Sequence, residues 1–325
     1  MGVFLIRRVL QSVLVLFLMS LVVFVGVYAI GNPIAVLIDP RAPQEAIDQA
    51  IHNLGLDRPL YEQYFFFLGN ALAGHLGNSF VFNEPALHVI MQRFPATLEL
   101  TLSAMVIASV FGLPLGLIAG YWSERPVSRV IMTGSILGFS LPSFWVGLML
   151  IIVFSIELGY LPATGRGATV SVLGVATSLL TLDGLRHILL PAINLALFPM
   201  ALIIRLTRAG VREHLQLDYV KFARAKGLTN RRILFTHVLK NIMIPVVTVM
   251  GLLFGLIIAF AVVTESVFAW PGMGKLIIDS ITLLDRPVIV AYLLLTVGLF
   301  ILINLVVDIL YSVLDPRVRL SEDSR

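Results

Sequence analysis

The 325-residue chain contains no cysteine, which excludes disulfides and thiolate metal sites and suits either side of a bacterial membrane. Charge is scarce as well. Only 13% of residues are Asp, Glu, Lys or Arg, about half the roughly 25% of soluble domains. The six histidines, at 52, 75, 88, 187, 214 and 237, are scattered, with no pair spaced i, i+4 as two metal ligands on one helix face would be. Each reads as solvated or hydrogen-bonded. A Walker A loop needs G-x-x-x-x-G-K-[ST]. The nearest approach, at Gly274 and Lys275, has Ala269 for the first glycine and Leu276 for the hydroxyl residue. GxSxG and HExxH are missing too, as is any Ser/His/Asp grouping at an informative spacing. The chain therefore offers no legible catalytic centre, and no cofactor is expected in it.

What is present is apolar. Hydrophobic residues make up 58% of the chain and the mean hydropathy is +0.96, which marks an integral membrane protein. Runs long enough to span a bilayer (about 20 residues) fall at 9–30, 97–121, 130–158, 188–206, 242–263 and 288–314. The first follows Arg7 and Arg8 and exceeds the roughly 7–15 residues of a signal-peptide core, so an uncleaved helix is expected. The fold class is all-α, with six transmembrane helices and both termini on one side. Sixteen of the 23 basic residues lie in the set of loops and ends that includes both termini. The positive-inside rule puts that set in the cytoplasm. It also explains a pI near 9.5 without nucleic acid, which is not an expected partner.

Loop 31–95, on the outer side, is patterned. Pro43 suits a helix start, Glu45 and Asp48 favour its first turns, and Ala46, Ile47, Ala50, Ile51 and Leu54 form an apolar stripe that Gly55 closes. A second amphipathic piece runs from Pro59 to about Leu72 and carries Tyr61, Tyr64 and Phe65 to Phe67, aromatics suited to a membrane–water boundary. These helices either rest on lipid and cap the bundle or dock an external partner.

Each inner span holds a proline: Pro114, Pro142, Pro199 and Pro245. Proline frees a backbone carbonyl, which a bilayer tolerates only where neighbours or water satisfy it. Gly112, Gly116 and Gly120, with Gly251 and Gly255, permit close helix approach. Ser140, Ser143, Asn194 and Met200, beside the kinks, are the candidate pathway residues. Ionisable residues near the spans (Glu99, Glu157, Arg205, Arg208, Glu265 and Asp308) lie toward their ends. No mid-depth series marks proton or sodium coupling. A stand-alone secondary carrier would need such residues and internal repeats. A membrane-embedded enzyme with a lipid-binding basic loop would need polar catalytic groups at depth.

The remaining polar stretch, 218–245, organises the chain. It sets Lys221, Arg224, Lys226, Arg231, Arg232 and Lys240 against one acid, Asp218. Asp218 is placed to cap a helix that stops at Gly227, and residues 231–244 form a second helix leading into the fifth span. The product is a crosswise rod held at both ends by membrane helices. The plainer reading is a basic loop on anionic headgroups.

ARAKGL at 223–228, followed by HVLKNIMIPVVTVMG at 237–251, resembles the cytoplasmic coupling loop of ABC importer permeases, and more narrowly the dipeptide/oligopeptide/nickel permease family. Arg7–Arg8, LGLDRPLYEQYFFFL at 54–68, HLGNSF at 75–80, ESVFAWPGMGKL at 265–276 and LDPRVR at 314–319 resemble the same family, in order along the chain. Arg224 departs from the general pattern, which often has a small or acidic residue there, but the ARAKG form is the one this narrower family uses.

The resemblance implies one transmembrane permease domain over 1–325, with an extracytoplasmic helical loop at 31–95, a core bundle at 97–314 and a coupling segment at 210–241. It implies a multi-pass protein of the bacterial inner membrane that pairs with a second, homologous permease. The implied partners are two cytoplasmic ATPases, which bind the ATP and Mg, and an extracytoplasmic solute-binding protein. Tyr219, Ala223, Arg224, Ala225, Lys226, Gly227 and Leu228 would then sit in a groove on an ATPase, with Gly227 supplying the turn. Relatives of this type carry dipeptides, longer peptides, glutathione, nickel chelates or opine-like compounds.

Overall fold

A computed structural model describes residues 2–29, 43, 45, 52 and 57–314. Apart from those three isolated positions, the helix expected from Pro43 to Gly55 lies outside the described residues, as does most of the LDPRVR motif. The described elements are α1 (Gly2–Ala29), α2 (Leu60–Leu72), α3 (Ala86–Tyr121), α4 (Pro126–Ser140), α5 (Ser143–Glu157), the hairpin strands β1 (Val170–Val172) and β2 (Val175–Thr177), α6 (Leu182–His214), α7 (Asp218–Ala225), α8 (Asn230–Val267), α9 (Met273–Thr282) and α10 (Arg286–Leu314).

Five of these helices are long and apolar enough to cross a membrane: α1, α3, α6, α8 and α10. The third expected span is a bent pair. α4 and α5 meet at 105°, and counting them as one span brings the total to six. The break follows from Pro142. It has no N–H to give, and it forces the preceding Leu141 out of the helical region to ψ 137°. Pro114, Pro199 and Pro245 instead sit inside continuous helices. Several spans extend beyond their apolar runs: α3 starts at Ala86, α6 covers Leu182–His214 and α8 starts at Asn230.

The chain divides into two compact units. In the first (Met1–Phe94 with Leu276–Ile301), α2 packs on α1 through Tyr64. Its hydroxyl is 2.8 Å from Ser20 Oγ, and its ring meets Phe17 and Phe24 edge-on. Tyr61, Phe65 and Phe66 remain exposed. The same unit explains the HLGNSF motif. Buried Asp285 accepts hydrogen bonds from the Ser79 hydroxyl and from the amides of Phe80 (3.2 Å) and Val81 (3.4 Å). Gly77, at φ +87°, lets the chain pass Pro287, which a Cβ there would meet at 3.3 Å.

The second unit (Pro95–Lys275 with Leu302–Arg325) is built on α3 against α6. Gly112, Gly116 and Gly120 face Ile203, Thr207 and Val211, one helical step apart on each side. A Cβ at Gly116 would lie 2.5 Å from Thr207 Cβ, and one at Gly120 2.6 Å from Val211 Cβ. α4, α5 and α8 all pack on α6, and α5 also packs on α8. Leu100, Ala104, Ala108, Ile188, Ala196, Ile203 and Ile257 form the buried centre of this unit.

Candidate functional site

α7 lies between the end of α6 and the start of α8. Val220 and Ala223, one turn apart, are buried in a cluster with Leu117, Val211, Ile233, Val238 and Ile242. They therefore hold α7 against the bundle. The sequence places Asp218 at the cap, but the structure corrects this: Leu217 is the N-cap and Asp218 the first helical residue. There its charge still complements the helix dipole. The Lys221 ammonium, 2.8 Å from it, holds the Asp218 carboxyl below the ordinary carboxylate range.

The other end of α7 has a precise stop signal in its hydrogen bonds. The Gly227 amide donates to Arg224 O at 2.9 Å and the Leu228 amide to Ala223 O at 3.2 Å, with Gly227 at φ +77°. This is a Schellman closure, which needs a left-handed residue at that position. Thr229 then opens α8, its hydroxyl accepting from the Arg232 amide at 3.4 Å.

The seven residues singled out from the sequence divide into two groups. Tyr219, Ala223 and Leu228 are buried or half-buried and face the bundle, with Tyr219 Oη 2.9 Å from His214 Nδ1. Arg224, Ala225, Lys226 and Gly227 are exposed. Phe222 joins this outer face. It is 62% exposed, with the Lys226 ammonium 4.6 Å from its ring centroid. The signal for Phe222 was present in the sequence, as an aromatic one helical turn from Lys226.

At the far end of α3 a second polar node closes the unit. Its residues Thr97 and Glu99 precede Leu117 by about 27–30 Å of helix rise, close to the roughly 30 Å of a hydrocarbon core. Buried Glu99 pairs with Arg166 and accepts from the Ser178 hydroxyl and from the Ser178 amide at 2.8 Å. Arg166 also donates to Ala176 O at 2.7 Å and lies 5.9 Å from the Trp270 ring centroid. Buried Glu265 accepts from Thr97 Oγ1 at 2.6 Å and from the Lys275 amide at 2.9 Å. Trp270 donates to Ala96 O at 2.9 Å. The hairpin and the 265–275 loop are thus fastened to one end of α3.

α4, α5, α6 and α8 line an open cavity of about 270 Å³. Ser143 and Asn194 line it, while Ser140 and Met200 do not, and Met200 packs against the buried centre.

This arrangement, long apolar helices with a short helix packed against them, has counterparts. Residues 112–320 match the sequence model of the binding-protein-dependent transport system inner membrane component, and residues 1–101 match that of its N-terminal part. The chain belongs to this family. It is a permease of the ABC importer type. A di/tripeptide transport system permease protein, DppB, of Pseudomonas aeruginosa is 43% identical over 302 residues, covering 89% of this chain and 90% of the relative. The glutathione transport system permease protein GsiC of Escherichia coli K12 is 40% identical over 317 residues, covering 97% and 98%. Among solved structures, an inward-facing MetNI methionine ABC transporter chain matches with a TM-score of 0.55 at 16% identity, over 71% of this permease and 99% of that chain. That likeness concerns the fold.

Proposed function

We propose that the permease admits a short peptide or peptide-like solute, and that the exposed face of α7 docks on an ATPase in the cytoplasm. The observation that carries the docking is the construction of α7. It is anchored by Val220 and Ala223, stopped by Gly227, and joined by turns of three and four residues to membrane helices on either side. A rod held this way passes a push at Phe222, Arg224, Ala225 and Lys226 directly into α6 and α8. Tyr219, Ala223 and Leu228 serve as its seat.

The cytoplasmic side is supported by the sixteen basic residues on the loops and ends that include α7. The same rule puts both termini in the cytoplasm. The solute class is supported by the two relatives, one named for di- and tripeptides and the other for glutathione. A second permease, two ATPases holding ATP and Mg, and an extracytoplasmic binding protein complete the importer in the bacterial inner membrane.

The test is uptake of labelled dipeptide and tripeptide by cells carrying the complete system. Ala225→Trp is expected to lower uptake by about tenfold or more, since coupling energies of about 1–3 kcal/mol correspond to 5–150-fold. Its amount in the membrane is expected to stay at the wild-type level. Wild-type uptake in that variant would remove α7 from the coupling path.

A further inference from the structure

We propose that the cavity at the α4–α5 bend is a solute subsite, in which Arg205 binds the carboxylate of a passing peptide and Asn194 one of its amides. This rests on the peptide reading above and adds which groups recognise the solute. Three features in or beside the cavity support it.

The first is a cation without its counter-charge. Arg205 stacks on Phe139, its Cζ 4.8 Å from the ring centroid, and Phe139 stacks on Phe198 at 5.3 Å. Both rings line the cavity. Nearer the end of α6, Arg212 has Glu124 at 4.0 Å. Among the described residues Arg205 has no carboxylate within ion-pair reach, and its Nε is buried without a hydrogen-bond partner. Arg205 does not itself line the cavity and borders it through Phe139. An unpaired guanidinium beside an apolar wall is a site for an anion with two oxygens.

The second is an incompletely used amide. Asn194, 3% exposed, gives one end of its side chain to Thr264 Oγ1 at 3.0 Å, and its other end has no partner. Both residues line the cavity. That end is Oδ1, an acceptor, so a solute N–H there completes the set.

The third is the break itself. α5 begins at Ser143, and Val146 is the first of its amides to find a helical acceptor, at Pro142 O (3.1 Å). The amides before it have none within the helix, and Ser143 lines the cavity. Broken membrane helices present such unpaired backbone groups to polar solutes.

The dimensions select a short peptide. Asn194 and Arg205 are about 16 Å apart in rise along α6, and the arginine side chain leans back over the preceding turn. The remaining gap suits two or three residues at about 3.5 Å each. The cavity volume of about 270 Å³ is near the lower end of small-ligand sites, about 300–1,000 Å³.

The absence of native cysteine makes Ser143→Cys the single thiol of this chain, on which labelling is read. Membranes holding the complete transporter are treated with a maleimide in the presence of trialanine or trialanine amide. Trialanine is expected to slow labelling, the amide to need about tenfold more for the same protection, and added Arg205→Gln to abolish the difference. Equal protection by acid and amide with Arg205 present overturns the subsite. So does absence of protection together with cross-linking of this cysteine to another chain, which would make the cavity the seat of a partner helix. ATP-dependent trialanine uptake by the wild type is measured in parallel. Uptake without protection overturns the subsite alone, whereas neither uptake nor protection overturns the peptide reading and the subsite with it.

Discussion

Glu99 and Arg166 show how single side chains hold the end of the bundle. Their side chains are 5% and 12% exposed, and Glu99 also binds the hydroxyl and amide of Ser178. Removing one partner of a buried pair leaves an uncompensated charge, at a cost of about 3–5 kcal/mol. Arg166→Met is therefore expected to lower thermal stability in detergent strongly, and Arg166→Met with Glu99→Gln to lower it less than the two single losses added. Strict additivity in that cycle would mean that the pair is not an energetic unit. Glycine matters here for space. A Cβ at Gly272 would lie 2.3 Å from Glu265 Oε1, so Gly272→Ala is expected to loosen the 265–275 loop, read as faster proteolysis between those residues. The sequence located Glu99 and Glu265 at span ends but not their partners. Arg166 is 67 positions from Glu99 and Glu265 is 168 from Thr97, pairings that only tertiary packing decides.

Helices were legible wherever lipid dictates their composition. Hydropathy runs located the apolar parts of α3 and α6 but not their ends. Residues such as His88, Gln92, Arg93 and Arg212 continue the helices with polar side chains, so the runs stop before the hydrogen bonding does. The four prolines looked alike in the sequence, and only Pro142 breaks its span, where Leu141 takes the extended conformation that precedes proline. The spacing of Gly112, Gly116 and Gly120 correctly signalled a close helix contact, with Ile203, Thr207 and Val211 on the other side. Gly116→Leu is expected to separate α3 from α6 and to cost about 1–3 kcal/mol or more, measured as reduced thermal stability of the purified chain. At α7, Gly227→Ala keeps the amide but strains the left-handed turn by about 1–2 kcal/mol. Gly227→Pro also removes the N–H that bonds Arg224 O and is expected to reduce uptake further. Equal uptake by the two variants would show that the Schellman closure does not matter to coupling.

At the scale of the whole molecule, the family was readable because several separated stretches agree in order, from Arg7–Arg8 through ARAKGL to ESVFAWPGMGKL. Which face of α7 is free was not readable from that agreement. Motif residues include both Ala223, buried, and Arg224, exposed, and only packing separates them. That separation gives the most direct test of the account. A photo-cross-linking amino acid is placed at position 224 or at position 220, and native membranes are illuminated. The account predicts a cross-link from 224 to a Walker-motif ATPase and none from 220, where Val220 is buried within the chain. Cross-links from 224 to lipid alone, in membranes where the permease is inserted and its ATPase is present, would contradict it.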